Sequence, residues 1–371
     1  MELLFCIVTV VTALLVFIII RSSKSQEGYK RWKAGNYVSD TPYAKEKKTS
    51  ALFSRSLFGK DANFLGAKRF KAEAVSWCAN LLAVEEDALR EVLDYVPRQY
   101  KLFYIRKRSG GFRAITAPED KLRVMQQTIY QRILLLAHVH PAVTGFCPGK
   151  SVADNARAHL GRKNVLKVDI HDFFPSIRSP KVRAAFREMG YSGPIAKVLG
   201  ELCCCYRCLP QGAPKSPALS NIIAYPLDKK IMALADEYGL VYTRYADDLT
   251  FSGDYLPKDE VLARIHGIVR EEGFTINAKK TRFLSEYKRK IITGVSVSSG
   301  EKMTIPKVKK REIRKNVHYV LTKGLVGHQE HIGSTDPVYL KRLLGNLCYW
   351  RSIEPDNRYV SDSITALKRL M

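Results

Sequence analysis

The chain has 371 residues, of which 46% are hydrophobic, so it can bury the contiguous core of two or three subdomains. Lys and Arg number 61 against 36 Asp and Glu, which gives a formal net charge of +25. This excess argues against a charge that serves solubility alone and favours a polyanionic partner, because each phosphate neutralised by Lys or Arg releases condensed counterions.

The N-terminal segment contains an uncharged apolar run at residues 3–20, followed by basic residues that begin with Arg21 and Lys24. Eighteen helical residues rise about 27 Å, close to the roughly 30 Å thickness of the hydrocarbon layer. No basic residue precedes the run and no Ala-x-Ala cleavage site follows it, which favours a membrane anchor over a signal peptide. The positive flank predicts that the rest of the chain faces the cytoplasm. A partner-binding helix or a misassigned start codon remain alternatives.

The next segment, residues 26–62, is polar and basic and is interpreted as a linker. Helical spacing of apolar residues extends from about residue 64 to residue 96. Two alternating runs between residues 101 and 118 flank Ser109, Gly110 and Gly111, which predicts a β-hairpin with a basic tip. A further helix is predicted from Leu122 to about Leu136.

Four of the eight cysteines lie together in the sequence, as Cys203, Cys204, Cys205 and Cys208. The last two have half of a zinc-ribbon spacing, but no second Cys-x-x-Cys pair completes a tetrahedral set. We therefore expect buried structural thiols in a reducing compartment rather than a metal or redox site.

The tetrapeptide Tyr-Ala-Asp-Asp at residues 245–248 lies between apolar residues, which predicts a strand-turn-strand hairpin with Asp247 and Asp248 at its tip. Adjacent carboxylates repel each other and are tolerated in solvent or around cations. An ordinary hairpin turn is the alternative for this string alone.

A second apolar strand, residues 165–170, places Asp169 near its end. If this strand lies beside the hairpin, Asp169 and Asp247 can bridge two Mg²⁺ ions about 3.5–4 Å apart. Oxygen ligands together with substrate phosphates suit Mg²⁺. Asp248 is the weaker ligand, since a neighbouring hairpin residue projects differently.

After Pro306 the chain is basic, and its apolar residues fall on one side of a predicted helix. The opposite face is cationic and includes Lys310, Arg311 and Arg314. We expect this face to contact RNA.

Four motifs in one consistent order resemble those of reverse transcriptases. Asp169 fits the first palm motif, residues 209–217 (Leu-Pro-Gln-Gly-Ala-Pro-Lys-Ser-Pro) the second, residues 245–248 the third and residues 273–281 (Gly-Phe-Thr-Ile-Asn-Ala-Lys-Lys-Thr) the fourth. The resemblance extends over roughly residues 101–294. It implies an α+β fold of the right-hand polymerase type, with fingers, a palm of antiparallel sheet plus helices, and a small helical thumb. In the predicted organisation, residues 1–25 are a transmembrane anchor, 26–62 the linker, 63–165 the N-terminal helices and fingers, 166–300 the palm and 301–371 the thumb.

The resemblance also implies roles at the nucleotide site. Phe174 corresponds to the steric gate that favours dNTPs over NTPs, and Asp172 to a residue beside the incoming triphosphate; the alternatives are a core aromatic and a surface turn. Lys280 corresponds to the lysine proposed to protonate the leaving pyrophosphate, with Lys279 as an alternative.

The remaining nucleotide contacts come from the second motif and the predicted hairpin. Gln211 and Gly212 correspond to the segment that packs against the nascent base pair, where a glycine permits a close backbone approach. Lys107 and Arg113 match the cations that grip the β- and γ-phosphates, or are two solvated charges.

Two further strings resemble the bacterial retron group. Asn155 and His159 fit its Asn-Ala-x-x-His signature, and Ile292-Thr293-Gly294 resembles its Val-Thr-Gly triplet, with Ile in place of Val. Both strings are expected to take part in RNA recognition, through Asn155 and His159 in the first and Thr293 and Gly294 in the second. The polar side chains of the first string are able to read RNA edges or 2′-hydroxyls; a capped helix with a hydrogen-bonded histidine is the alternative.

The resemblance implies a retron-type RNA-directed DNA polymerase that binds a cognate structured noncoding RNA and dNTPs and primes from the 2′-OH of an internal guanosine. Its product is single-stranded cDNA in a branched RNA–DNA hybrid, and it acts in anti-phage defence with a separate effector protein. The expected location is a cytoplasmic catalytic body tethered to the inner membrane. A group II intron-like or abortive-infection reverse transcriptase is the alternative enzyme, and a non-catalytic membrane-anchored RNA-binding scaffold is the alternative of another class.

Overall fold

A computed structural model describes residues 70–107 and 110–371. The predicted anchor and linker lie outside these residues. Within them, no helix has the length and apolar character needed to cross a membrane. The elements in chain order are α1 (Ala72–Leu82), α2 (Glu86–Asp94), β1 (Tyr100–Arg106), β2 (Phe112–Pro118), α3 (Asp120–Arg132), α4 (Val152–Arg157), β3 (Asn164–Asp169), α5 (Phe173–Ser176), α6 (Ser179–Glu188), α7 (Gly193–Leu202), α8 (Ser216–Ile223), α9 (Tyr225–Glu237), β4 (Val241–Tyr245), β5 (Asp248–Gly253), α10 (Lys258–Glu271), β6 (Arg282–Leu284), β7 (Ile291–Ile292), β8 (Val295–Ser296), α11 (Lys307–His331), α12 (Tyr339–Ile353) and α13 (Arg358–Lys368).

The central sheet has the strand order β4-β5-β3-β6, and every neighbouring pair is antiparallel. Alternation along the strands divides side chains between two faces. One face carries Leu166, Val168 and Phe251. These residues belong to the main hydrophobic core, which also contains residues from helices that come before and after the strands in the chain. The other face carries Asp169, with Asp248 opposite. The fold is therefore mixed helix and antiparallel sheet, as predicted.

A second core lies among the C-terminal helices and reaches the end of the sheet. Val165 of β3 joins it, with Ala156 of α4, Val317 of α11 and Trp350 of α12. Because Val165 alternates onto the face that carries Asp169, this core packs at one end of the polar face.

The local predictions are confirmed with shifted helix boundaries. The hairpin β1–β2 pairs Arg106 with Phe112, as the predicted turn requires. The helical stretch expected up to residue 96 is two helices, because Ala83 adopts a left-handed backbone (φ 55°) that ends α1. The helix expected to reach Leu136 ends at Arg132, and residues 134–136 form a 3₁₀ turn.

The expected burial of the four clustered thiols is confirmed. All four are buried and none forms a disulfide. Cys205 and Cys208 face each other across a tight turn, with backbone N···O distances of 2.9 and 3.1 Å. Burial raises the pKa of the Cys205 thiol to about 12, so the group remains a protonated packing residue.

Candidate active site

The end of β3 and the start of β5 bring together carboxylates that are far apart in sequence. Asp169 and Asp248 are direct partners in the strand register. The N–H of Ile170 donates to the carbonyl of Asp247 at 2.9 Å, so the neighbouring Asp169–Asp248 pair is the non-hydrogen-bonded kind, in which side chains share a face and approach closely. The structure thus places all three predicted aspartates at one edge of the sheet.

The turn that presents Asp247 has a strained backbone. Ala246 lies in the left-handed region with φ 57°. Its carbonyl accepts a hydrogen bond of 3.0 Å from the guanidinium of Arg244, which is fully buried and paired with Asp228 through two contacts of 2.7 Å. The buried ion pair therefore braces the turn from the core side of the sheet.

Lys280 reaches the same cluster from the fourth motif. The N–H of Asn277 donates to the carbonyl of Asp169 at 2.7 Å, which continues strand-like pairing beyond β3. The Nζ of Lys280 consequently lies 2.9 Å from Oδ2 of Asp169. Burial acts to lower the Lys280 pKa, but the hydrogen bond and charge of Asp169, together with Asp247 and Asp248, raise the pKa above its usual value. Lys279, the alternative, is exposed.

The carboxylates lie where negative charge is poorly compensated. Burial, followed by the charge of Asp248, raises the pKa of Asp247. Burial also raises the pKa of Asp248, with Lys167 opposing and Asp169 adding to the rise. Oδ1 of Asp169 is buried and has no hydrogen-bond partner. These are the features of an acidic pocket that a cation would stabilise.

No group of three or more His, Cys, Asp or Glu among the described residues is arranged to hold a metal ion by itself. Mg²⁺ is commonly bound through one or two carboxylates, with substrate phosphates and water as the other ligands. The orphaned oxygen of Asp169 and the raised pKa of Asp247 fit such a shared site rather than a closed protein cage.

Four aromatic rings form a connected row that ends at Tyr245, in the turn that presents Asp247. Phe174 is half-buried, and its ring centroid is 5.7 Å from that of buried Phe173 and 6.3 Å from that of Phe146. The Phe146 ring is also 6.2 Å from Tyr245. Asp172 is exposed, has φ 45°, and lies 3.3 Å from the imidazole of His171. Phe174 thus borders the site without being enclosed in the core.

The β1–β2 hairpin presents its two predicted cations on one face. Arg113 pairs with Ile105, and the N–H of Lys107 continues this register by donating to Gly111 at 2.9 Å, so alternation places Lys107 and Arg113 on the same face. Ile115 shares that face by alternation and contacts the loop that contains Gly212. Both cations are exposed.

The structure shows a second reason for a glycine at position 212, besides the one inferred from sequence. A Cβ at Gly212 would lie 2.6 Å from Cγ2 of Ile115 and 3.1 Å from the carbonyl of Thr116. The N–H of Thr116 also donates to the carbonyl of Gln211 at 2.8 Å. The glycine, with φ 122°, therefore permits close contact with the hairpin, in addition to any approach to a nucleotide.

The retron-like residues Asn155 and His159 are fully buried. Asn155 accepts a hydrogen bond from Thr144 at 2.8 Å and donates to Thr293 at 3.3 Å. The two ring nitrogens of His159 lie 2.7 and 2.8 Å from the hydroxyls of Ser252 and Thr243. The expected direct RNA contact does not fit these two side chains, because their polar atoms face hydroxyls inside the protein.

The other predicted RNA contacts are nearer the surface. Thr293 is half-buried and donates to the carbonyl of Val152 at 3.1 Å, whereas Gly294 is exposed. On α11, Arg311 is exposed, and Lys310 forms an ion pair of 2.7 Å with Glu354. The guanidinium of Arg314 lies 5.5 Å from the Trp350 ring centroid and 5.1 Å from that of Tyr359, although the residue remains exposed. Part of the predicted cationic face thus also holds the C-terminal helices together.

Three residues at this site were missed by the sequence analysis: Phe146, Asn221 and Arg244. Arg244 had a usable signal, because it is a charged residue inside an apolar strand directly before Tyr245. The sequence signal for Phe146 was weaker and consisted of the glycine that precedes it. In the structure, a Cβ added at Gly145 would lie 2.7 Å from the backbone nitrogen of Ala246. Asn221 had no such signal.

Comparison with known proteins agrees with this geometry. Residues 105–319 match the family described as reverse transcriptase (RNA-dependent DNA polymerase). The chain belongs to the reverse transcriptase family, and it is therefore an RNA-directed DNA polymerase. As a family, reverse transcriptases use divalent metal ions.

The more specific relatives are bacterial. The chain is 35% identical over 253 residues to the retron Ec86 reverse transcriptase of Escherichia coli, a match that covers 67% of this chain and 78% of the relative. It is 34% identical over 301 residues to the retron Mx65 reverse transcriptase of Myxococcus xanthus, covering 75% and 68% of the two chains. Its retron type is thereby shown. Among solved structures, a telomerase from Candida albicans in complex with a fragment of telomeric RNA is similar with a TM-score of 0.41 at 12% identity, over 73% of this chain and 63% of that one.

Proposed function

We propose that this enzyme binds a cognate structured noncoding RNA, begins synthesis from the 2′-OH of an internal guanosine, and copies part of that RNA into single-stranded DNA. The product would be a branched RNA–DNA hybrid. The assignment of the polymerase site is supported by one observation: Asp169 lies beside Asp247 and Asp248, and Lys280 lies next to Asp169. The priming mode is supported by the similarity to retron enzymes.

Asp169 and Asp247 would hold two Mg²⁺ ions together with substrate phosphates, and Asp248 would contribute less. When bound, the ions supply positive charge that stabilises the attacking and leaving oxygens. Lys280, which lies within hydrogen-bond distance of Asp169, would give a proton to the leaving pyrophosphate.

The nucleotide would lie between the carboxylates and the β1–β2 hairpin. Lys107 and Arg113 share the hairpin face that meets the Gly212 loop, so they are suited to bind its β- and γ-phosphates. Gln211 and Gly212 would pack against the nascent base pair.

Sugar selection and the approach of the triphosphate would involve the segment after β3. The ring of Phe174 is half-buried at the rim of the site, where it would occupy the space of a ribose 2′-OH. Asp172, which is exposed and two residues earlier in the chain, would lie beside the triphosphate.

RNA would lie along the exposed residues near the C-terminal helices. Gly294, Thr293 and the cationic residues of α11, Arg311 above all, are available at the surface. Asn155 and His159 would act indirectly, because their hydrogen bonds fix α4 and the Thr293 loop against the sheet.

The larger organisation that we propose keeps the right-hand arrangement, with fingers at residues 63–165, palm at 166–300 and thumb at 301–371. We also propose that residues 3–20 anchor a cytoplasmic catalytic body to the inner membrane, on the grounds of their sequence alone. Fractionation of the full chain against a chain that starts at Ser25 tests the anchor. Equal distribution between membrane and supernatant would exclude it.

Anti-phage defence with a separate effector protein is the biological role that we propose for the hybrid. Cells that carry the complete locus should lower the plating efficiency of a sensitive phage. The same locus with Asp247→Asn should not, and equal protection by both would separate defence from DNA synthesis.

The central test is expression of the gene with its native flanking DNA, followed by nucleic-acid extraction. A short single-stranded DNA should appear that retains RNA until a debranching enzyme is added. The matched Asp247→Asn protein should make none. If the wild-type protein makes no such DNA but extends an annealed primer on an RNA template, the proposal of priming from a 2′-OH is wrong. The assignment of polymerase activity would still hold.

A further inference from the structure

Phe146 combines a strained backbone with an exposed ring. Its φ is 60°, in the left-handed region that bulky side chains rarely adopt, and the residue is 44% exposed. Backbone strain of this kind costs of order 1–3 kcal/mol and persists only where surrounding contacts enforce it. A ring that served only to fill the core would gain more from full burial.

The surrounding contacts that enforce this conformation come from the catalytic turn itself. The N–H of Thr144 donates to the carbonyl of Arg244 at 2.9 Å, and the buried amide of Asn221 donates to the carbonyl of Gly145 at 2.9 Å. Gly145 meets Ala246 so closely that an added Cβ would lie 2.7 Å from its backbone nitrogen. The loop is therefore built onto the turn that presents Asp247.

The strain directs the ring to one place, between Phe174 and Tyr245, at centroid distances of 6.3 and 6.2 Å. Phe174 also has buried Phe173 as a neighbour, at 5.7 Å. Phe146 is thus the exposed one of two phenylalanines whose rings lie next to the Phe174 ring.

We infer that Phe146 is a positioning residue for sugar selection: it holds the Phe174 ring where it excludes a ribose 2′-OH. This inference rests on the proposed gate role of Phe174. Without this exposed neighbour, the Phe174 ring is able to rotate away from Phe173, and the site gains room for a 2′-hydroxyl.

The test is single-nucleotide extension of a DNA primer on an RNA template by the full chain, with kcat/KM measured for dGTP and for GTP. Phe174→Ala should lower the dGTP/GTP ratio by about tenfold or more, the range expected for one steric contact. Phe146→Gly should also lower it about tenfold, with most of the change in kcat/KM for GTP. Phe146→Tyr, which retains the ring, should keep the ratio within about threefold of wild type.

Phe146→Gly suits this purpose because glycine accepts φ 60° without strain, so the variant should keep or raise the thermal unfolding midpoint. If it does not fold, Phe146→Leu removes the ring and provides the same measurement. In the double variant with Phe174→Ala, the ratio should fall no more than about twofold below that of Phe174→Ala alone, because both changes act through one ring.

The two single variants distinguish the positioning role of Phe146 from the gate role of Phe174. If Phe174→Ala lowers the ratio while Phe146→Gly leaves it at the wild-type value, Phe146 is not a positioning residue and the gate remains. If the two effects multiply in the double variant, Phe146 acts independently of Phe174 and the inference is also wrong. If Phe174→Ala leaves the ratio unchanged, the proposed gate itself fails.

Discussion

His159 should make the stability of this enzyme fall between pH 7.5 and pH 5.5. The residue is fully buried, and its two ring nitrogens contact the hydroxyls of Ser252 and Thr243 on neighbouring strands. Burial, with a smaller contribution from the charge of Arg162, lowers the His159 pKa to about 3. In the unfolded chain the imidazole should titrate near its usual value of about 6.5.

The direction of the pH dependence follows from the number of protons that His159 binds in the folded and in the unfolded chain. Well above pH 6.5 the histidine is neutral in both the folded and the unfolded state, so it adds no pH dependence. Below about pH 6.5 the unfolded chain takes up a proton that the folded chain excludes until the pH approaches 3, and stability is lost across that interval. Between pH 7.5 and 5.5 the loss amounts to about 1.4 kcal/mol in the free energy of unfolding.

The measurement is urea unfolding of the wild type and His159→Gln at both pH values, followed by fluorescence and circular dichroism. Gln replaces the imidazole with a neutral polar group that does not titrate, so the wild type should lose about 1.4 kcal/mol more than the variant over this step. Exposed His266, changed to Gln, is the matched control and should behave as wild type. Equal pH dependence in wild type and His159→Gln would show that the buried histidine is not the source.

Three further substitutions and one control variant test the site. Asp247→Asn should abolish DNA synthesis while RNA binding in a gel shift remains at the wild-type level; loss of both would indicate a folding defect instead. Lys280→Gln should lower kcat by about a hundredfold with little change in the KM for dNTP, whereas Lys279→Gln should stay within about twofold of wild type. Asp228→Asn leaves the guanidinium of Arg244 buried without its counter-charge and should cost about 3–5 kcal/mol of unfolding free energy in urea; a cost below about 1 kcal/mol, as for an exposed pair, would contradict the buried geometry.

The sequence was sufficient for features that depend on local pattern. The hairpin at residues 245–248 and the strand that ends at Asp169 follow from apolar runs beside polar residues, whereas their pairing entered the sequence analysis only as a condition that the structure fulfils. The fourth motif singled out Lys280 by its resemblance alone, and the structure adds that its Nζ lies 2.9 Å from Oδ2 of Asp169.

Burial of polar residues was not predictable in the same way. An Asn or a His in a short helix has the same sequence pattern whether it meets RNA or a hydroxyl inside the protein. The hydroxyl partners of His159 lie on β4 and β5, more than 80 residues later in the chain. Phe146 was missed for a related reason, because its left-handed backbone is imposed by Asn221 and Arg244 from other elements.

The buried ion pair between Asp228 and Arg244 allows its effect on stability to be measured separately from its effect on activity. A buried ion pair can often be replaced by apolar residues of similar size at little or no cost in stability. Here the hydroxyl of Tyr242 also donates to Asp228, at 2.8 Å, so it must be removed together with the pair.

We therefore expect the triple substitution Asp228→Leu, Tyr242→Phe and Arg244→Met to retain unfolding free energy within about 2 kcal/mol of wild type. Polymerase activity should nevertheless fall by about tenfold or more, the effect of about 1.4 kcal/mol on a barrier, because the carbonyl of Ala246 loses the donor that braces its left-handed backbone. Unfolding in urea and primer extension on the same preparation measure the two quantities. A stable triple variant with wild-type kcat would mean that the strained turn holds Asp247 in place without Arg244, and that the ion pair is only part of the core.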